Sequence, residues 1–231
     1  MRTRIATLLM PLLCFTAGAH AQPGIGVAAA GEDRSAFNTR CRREILAQSP
    51  GAAAQADAIC GSKWDMITAT GPMGDAVLLL APPPGATFDP AGARGRLTTV
   101  LWSAKPGKDV VASGRLGELE VRVARTPVAG VTFDWFKDGT PIPFDLPEAL
   151  KVRGARLAMV GCLDFGVGEG GRVYRVTAPG KAPFTLSISF REAAVASQSS
   201  SFTATADYGG QLPTLTALRR DGSEWSTACP Q

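Results

Sequence analysis

Few side chains in this 231-residue chain can carry acid–base or nucleophilic chemistry. The carboxylates are the main candidates. Asp134 and Asp138 flank one turn, and Asp164 and Glu169 flank a glycine-rich one. Two carboxylates about 5–10 Å apart suffice for glycoside hydrolysis, one as acid and the other as base or nucleophile. Acids in loops also suit calcium, but the D-x-D-x-D-G pattern is missing. Most loop carboxylates are simply solvated. The lone histidine, His20, falls in a stretch expected to be removed. Ser-His-Asp and Cys-His catalysis and a His-built zinc site are therefore not expected in the mature chain. The cysteines lack paired C-x-x-C spacing, which argues against a Cys₄ zinc site, and no metal or cofactor is expected. Ser199-Ser200-Ser201 has no S-x-x-K lysine and reads as a polar loop. Gly166 to Gly171 contains G-x-G-x-x-G, but Arg172 to Thr177 then reads as a strand. A dinucleotide site needs a helix there, so the segment is read as a hairpin.

The stretch expected to be removed is Met1 to Ala21. Arg2 and Arg4 give a basic start, Ile5 to Ala17 is a short apolar run, and Ala19-His20-Ala21 is an A-x-A cleavage site. The run is too short to span a bilayer, and no later segment reaches membrane length. Leu12-Leu13-Cys14 lacks the small residue that precedes a lipoprotein cysteine. A periplasmic or secreted product with no membrane span is expected. The formal net charge of +4 includes the two leader arginines, and no basic stripe with interleaved aromatics exists, so nucleic acid is not an expected partner.

Cys41, Cys60, Cys162 and Cys229 remain after cleavage, and an even count in an exported chain reads as two disulfides. Residues 22–32, rich in Gly and Ala, read as a flexible tail. Residues 33–81 read as a helical module. Asp33 or Ser35 caps a first helix to about Gln48, Ser49-Pro50-Gly51 breaks it, and a second helix runs from about Ala52 to Thr68. Cys41 and Cys60 stand at equal separations from that break. In an antiparallel hairpin they sit at the same height, which favours pairing Cys41 with Cys60 and Cys162 with Cys229. Met73 to Leu80 reads as a third helix. Pro82-Pro83-Pro84-Gly85 opens a stiff linker over residues 82–95.

From residue 96 to 231 the period changes to two. Leu119, Val121 and Val123 alternate with Glu120, Arg122 and Ala124. Val131, Phe133 and Trp135 alternate with Thr132, Asp134 and Phe136. Phe184, Leu186, Ile188 and Phe190 alternate with Thr185, Ser187, Ser189 and Arg191. Half-buried antiparallel strands have this pattern. Further strands are expected near 97–102, 155–162, 171–177, 202–207 and 214–219, with a helical turn over Leu146 to Val152. About eight strands predict a β-sandwich, jelly-roll or immunoglobulin-like. The fold class is α+β: a disulfide-bridged helical hairpin followed by an antiparallel sandwich, with no repeat of fixed period.

Three segments resemble known families. Val131 to Pro143, VTFDWFKDGTPIP, resembles the strand-C segment of immunoglobulin-like domains, which implies a core Trp135. That family's first cysteine is missing before Trp135, and Val160 stands where it has tyrosine. Val173 to Ser189, VYRVTAPGKAPFTLSIS, is similar to the small jelly-roll modules of secreted bacterial proteins, such as pre-peptidase C-terminal domains. This implies an accessory binding or processing element. The helices around Cys41 and Cys60 resemble cysteine-bridged modules of bacterial envelope proteins, including some lysozyme inhibitors, with a longer cysteine spacing here.

Among the tryptophans Trp135 reads as core, and Trp225 beside Cys229 is the candidate for a binding surface. Arg40, Arg42 and Arg43 cluster on the first helix and would meet anionic envelope polymers. The leading expectation is an exported non-enzymatic binding module for an envelope protein or glycan. The alternatives are a carboxylate-dependent glycan hydrolase and a structural envelope subunit.

Overall fold

A computed structural model describes residues 28–29, 31–103, 110–166, 168–193 and 198–209. The expected leader, most of the expected tail, the strand expected at 214–219, Trp225 and Cys229 lie outside them.

The helical layer begins with α1 (Arg34–Gln48). The Asp33 carboxylate accepts the Ala36 N–H at 2.9 Å, satisfying one of the amides a helix start leaves unpaired. Phe37, Cys41 and Ile45, four apart, form its buried face. A single 3₁₀ turn at Pro50–Ala52 reverses the chain into α2 (Ala53–Ala69), which buries Ala56, Cys60 and Ile67. The expected Cys41–Cys60 disulfide joins the two helices, with Cα atoms 5.9 Å apart. The next helix, α3 (Gly71–Leu80), has a proline in its first turn. Thr70, fully buried between α2 and α3, donates to the Met66 carbonyl at 2.7 Å and accepts the Asp145 N–H at 2.9 Å. Among the described residues no helix is long and apolar enough to cross a membrane.

After the short helix α4 (Ala93–Arg96) come β1 (Leu101–Trp102), β2 (Ala112–Leu116), β3 (Leu119–Ala124) and β4 (Gly130–Asp138). Helix α5 (Leu146–Val152) leads to β5 (Arg156–Gly166), β6 (Glu169–Thr177), β7 (Phe184–Arg191) and β8 (Ser199–Asp207). Each half is thus a helical lead followed by a four-strand meander. The meanders abut through β4 and β8, giving one eight-stranded antiparallel sheet in the order β1-β2-β3-β4-β8-β7-β6-β5.

The sandwich expectation differs from this architecture. The described strands lie in one sheet that is not closed, and the second layer is helical. Alternation reports that one face of a strand is buried but not what covers it. Here Val121, Val131, Phe133, Leu186 and Phe202 of the sheet share a core with Met73, Val77 and Leu80 of α3 and Leu146 and Leu150 of α5. A second cluster joins Phe37, Ile45 and Ile67 to the disulfide and to Ala149 of α5, so α5 faces both cores. The described end of the expected tail packs on this layer as well. Ala28 is 4% exposed, its N–H bonds the Glu148 carboxylate, and Gly31 N–H donates to the Val152 carbonyl at 3.2 Å.

Candidate functional site

With its apolar face against the helices, the sheet turns its alternate residues outward. Register aligns these residues in cross-strand rows. One row runs Arg115, Glu120, Asp134, Thr203, Ser189 across β2, β3, β4, β8 and β7. Beside it lies Ser113, Arg122, Thr132, Thr205, Ser187. On the other side lies Phe136, Ser201, Arg191, Glu169, across β4, β8, β7 and β6. The face is rich in hydroxyls and paired charges, with one phenyl ring set among them.

Asp134 is the most connected of the candidate acids. Arg122 donates to its Oδ2 through Nε at 3.1 Å and through Nη2, and Thr203 Oγ1 donates to its Oδ1 at 2.8 Å. Thr132 and Thr205 share a hydroxyl–hydroxyl bond of 3.1 Å in the next row. Asp138, at the end of β4, accepts the Ser199 hydroxyl at 2.6 Å. Glu169 accepts Arg191 Nη2 at 2.8 Å, and that bond raises the arginine above its ordinary value. Asp164 lies on β5 with its backbone opposite Gly170. The structure therefore spreads the described candidate acids along the sheet. Four residues along one strand separate Asp134 from Asp138 by about 13 Å at 3.3 Å per residue.

A carboxylate not anticipated as a partner stands closer. Glu120 on β3 is directly opposite Asp134 on β4, and directly opposite side chains have Cβ atoms about 5 Å apart. The alternation at 119–124 marked Glu120 as outward-facing, but only the register of β3 against β4 puts it beside Asp134.

Two adjoining cavities cover this part of the face, of about 440 Å³ over Glu120, Asp134 and Thr203 and about 600 Å³ over Ser199, Arg191 and Glu169. Phe136 and Ser201 line both. Phe136 is 69% exposed, an unusual position for a phenyl ring on a polar sheet face, near the end of β4. At the edge of the smaller cavity Glu118 accepts Lys137 Nζ at 3.1 Å and Trp135 Nε1 at 3.3 Å. These bonds, led by Lys137, hold its carboxyl below the usual range. Trp135 itself is buried, as the alternation implies, and only its indole N–H reaches the polar rim.

The basic cluster on α1 separates into inward and outward members. Arg40 is half-buried and turned inward, where it bonds Glu32 at 2.7 Å and Glu44 at 2.8 Å and covers the Phe37 ring at 5.5 Å. Arg42 and Arg43 are exposed, with Asp57 3.4 Å from Arg42. Cys162 on β5 is buried and disulfide-bonded. Among the described residues no cluster of three or more His, Cys, Asp or Glu side chains has the arrangement of a metal site.

Comparison with protein-family models, with curated proteins and with solved structures finds no match.

Proposed function

We propose that the protein is an exported, non-enzymatic binding module of the cell envelope that holds a glycan chain on the outer face of its sheet. The observation that carries this reading is Phe136. It is exposed between two cavities whose walls include Ser199, Ser201, Thr203 and several charged side chains. A sugar ring presents one apolar face and a rim of hydroxyls, so an exposed ring amid hydroxyls and carboxylates matches both parts. The leader-like N-terminus and the Cys41–Cys60 disulfide support export to an oxidising compartment. The test is binding of the purified protein to soluble fragments of peptidoglycan and of envelope polysaccharide. Phe136→Ala is expected to weaken binding about tenfold, from the loss of about 1.5 kcal/mol of apolar contact. Equal affinity of wild type and variant, or no binding to either glycan class, overturns the reading.

A second reading, hydrolysis of the held glycan, is favoured by one observation, the opposition of Glu120 and Asp134 across β3 and β4. Directly opposite carboxylates are close enough neighbours to work as a pair, one attacking and the other donating a proton. Release of reducing ends from the bound glycan, abolished by both Glu120→Gln and Asp134→Asn, would replace the non-enzymatic reading. Binding without release retains it.

A further inference from the structure

The helix-facing side of the sheet carries a cavity of different character. It measures about 310 Å³ and lies between β6, β7 and β8 and the chain that enters α5. Phe144, Ile188, Phe190 and Phe202 supply apolar wall. The wall is braced by its own ring contacts: Phe144 packs on Phe202 at 5.3 Å and, edge-on, against Trp135 at 5.6 Å. This bracing keeps the space open without a ligand to prop it, the condition for a preformed small-molecule site.

The polar groups limit what fits. Two of the charged groups at the cavity, Asp145 and Arg172, are engaged by the protein. Asp145 is bonded by Lys63. Arg172 donates through Nη1 to the carbonyls of Leu163 at 3.0 Å and Gly171 at 2.8 Å, and its guanidinium lies 5.6 Å from the centre of the Phe190 ring. Glu192 is exposed at the rim. Tyr174 is the neutral polar group of the lining, and burial pushes its phenol up to about 12, so it remains a hydroxyl at physiological pH. A hydroxyl both donates and accepts, and one in a lining that is otherwise mostly apolar favours a partner with a single polar group.

We propose that this cavity binds a neutral small molecule with a flat apolar body, of about the size of a fused two-ring aromatic, bearing one hydroxyl or carbonyl group that hydrogen-bonds the Tyr174 hydroxyl. The cavity lies on the helix-facing side of the sheet, opposite the glycan face, and shares with it only Glu192 at the rim.

The test uses purified full-length protein and the fluorescence of N-phenyl-1-naphthylamine, with 2-naphthol and naphthalene as competitors. Saturable one-to-one binding of the dye is expected, with displacement by both competitors. Ile188→Trp, which fills the cavity, is expected to abolish dye binding. Tyr174→Phe keeps the shape and removes the hydroxyl. It is expected to weaken 2-naphthol about fivefold, the size of one neutral hydrogen bond, and to leave naphthalene unchanged. Absence of saturable binding to the wild type overturns the proposal. So does undiminished binding to folded Ile188→Trp, or a Tyr174→Phe effect equal for the two competitors. The Tyr174→Phe comparison decides the matter even where the tryptophan variant does not fold.

Discussion

Asp134 and Thr203 face each other at the midpoint of the nine-residue ladder that joins β4 to β8, and the Thr203 hydroxyl donates to the Asp134 carboxylate at 2.8 Å. The bond lies at the seam between the two four-strand meanders, where the halves of the sheet are held together. Arg122 reaches the same carboxylate from β3, but with half of its side chain exposed. The two partners should therefore contribute unequally. Thr203→Val removes a part-buried, charge-assisted hydrogen bond and is expected to cost about 1.5 kcal/mol. Arg122→Ala removes a solvent-screened ion pair and is expected to cost about 0.5 kcal/mol. Urea unfolding of the single and double variants measures both costs and their coupling. The reverse order would mean that the ion pair, and not the hydroxyl, holds the seam.

Gly130 opens the same ladder, opposite Asp207. A Cβ at this position would stand 1.9 Å from the Ala206 carbonyl oxygen, and that neighbour is backbone and cannot step aside. Gly130→Ala is expected to shift the β4–β8 register or to destabilise the fold by on the order of 4 kcal/mol. Alanine at Gly180, where no atom lies within 4 Å, meets only the strain of a φ of +68° and is expected to cost about 1 kcal/mol. Comparing the thermal unfolding of the two variants separates a steric requirement from a conformational one.

The contrast also shows what the residue pattern could convey. Helices α1 and α2 were legible because spacing, a capping Asp33 and the Pro50-Gly51 break all point the same way. Strands β3, β4 and β7 were legible because apolar and polar residues alternate through them. Strand β2, Ala-Ser-Gly-Arg-Leu, was not anticipated. It has no β-branched residue, and Gly114 sits in it because a Cβ there would meet the Leu101 carbonyl oxygen at 2.6 Å. The reason for that glycine belongs to the neighbouring strand and leaves no local signal. The opposition of Glu120 and Asp134 was hidden for the same reason. Each residue reads as outward-facing on its own strand, and only register makes them neighbours. The helical cover of the sheet was hidden because the buried faces of α3 and of the strands are equally apolar, so nothing in either names its partner.

The Cys41–Cys60 bridge closes a loop of separation 19 between α1 and α2. In the chain-entropy description such a loop contributes about 3 kcal/mol by restricting the unfolded chain. The paired replacement Cys41→Ala with Cys60→Ala is expected to lower the unfolding free energy by about that amount, read as a lower urea midpoint with a somewhat steeper slope, because the freed unfolded chain exposes more surface. Wild type in excess reductant should fall to the same midpoint if Cys41–Cys60 is the bridge that matters most. A further fall in the double variant on adding reductant would assign the difference to the disulfide at Cys162. A double variant as stable as wild type would place the strength of the hairpin in its packing around Phe37 and Ile67.

Two carboxylates in the helical layer should give stability opposite dependences on pH. Glu148, buried on α5, is raised above its ordinary value of 4.5, chiefly because burial disfavours the charged form. The bonds from Lys151 and from the Ala28 N–H offset this only in part, and the neighbouring Asp145 adds to the rise. Between 4.5 and that raised value the folded state holds more protons than the unfolded one, so the Glu148 contribution to stability falls as pH rises. Glu32 is held below 4.5, chiefly by the hydrogen bonds from Arg40. Its contribution is present above 4.5 and is lost as pH falls through the lowered value. Wild-type stability minus that of Glu148→Gln, followed by urea unfolding, is therefore expected to slope downward with rising pH just above 4.5. The same difference for Glu32→Gln is expected to slope upward just below it. Each variant cancels the titration of the other groups, so the two signs can be read separately. A flat Glu148 difference would mean that Lys151 and the Ala28 amide together compensate the burial of that carboxylate in full.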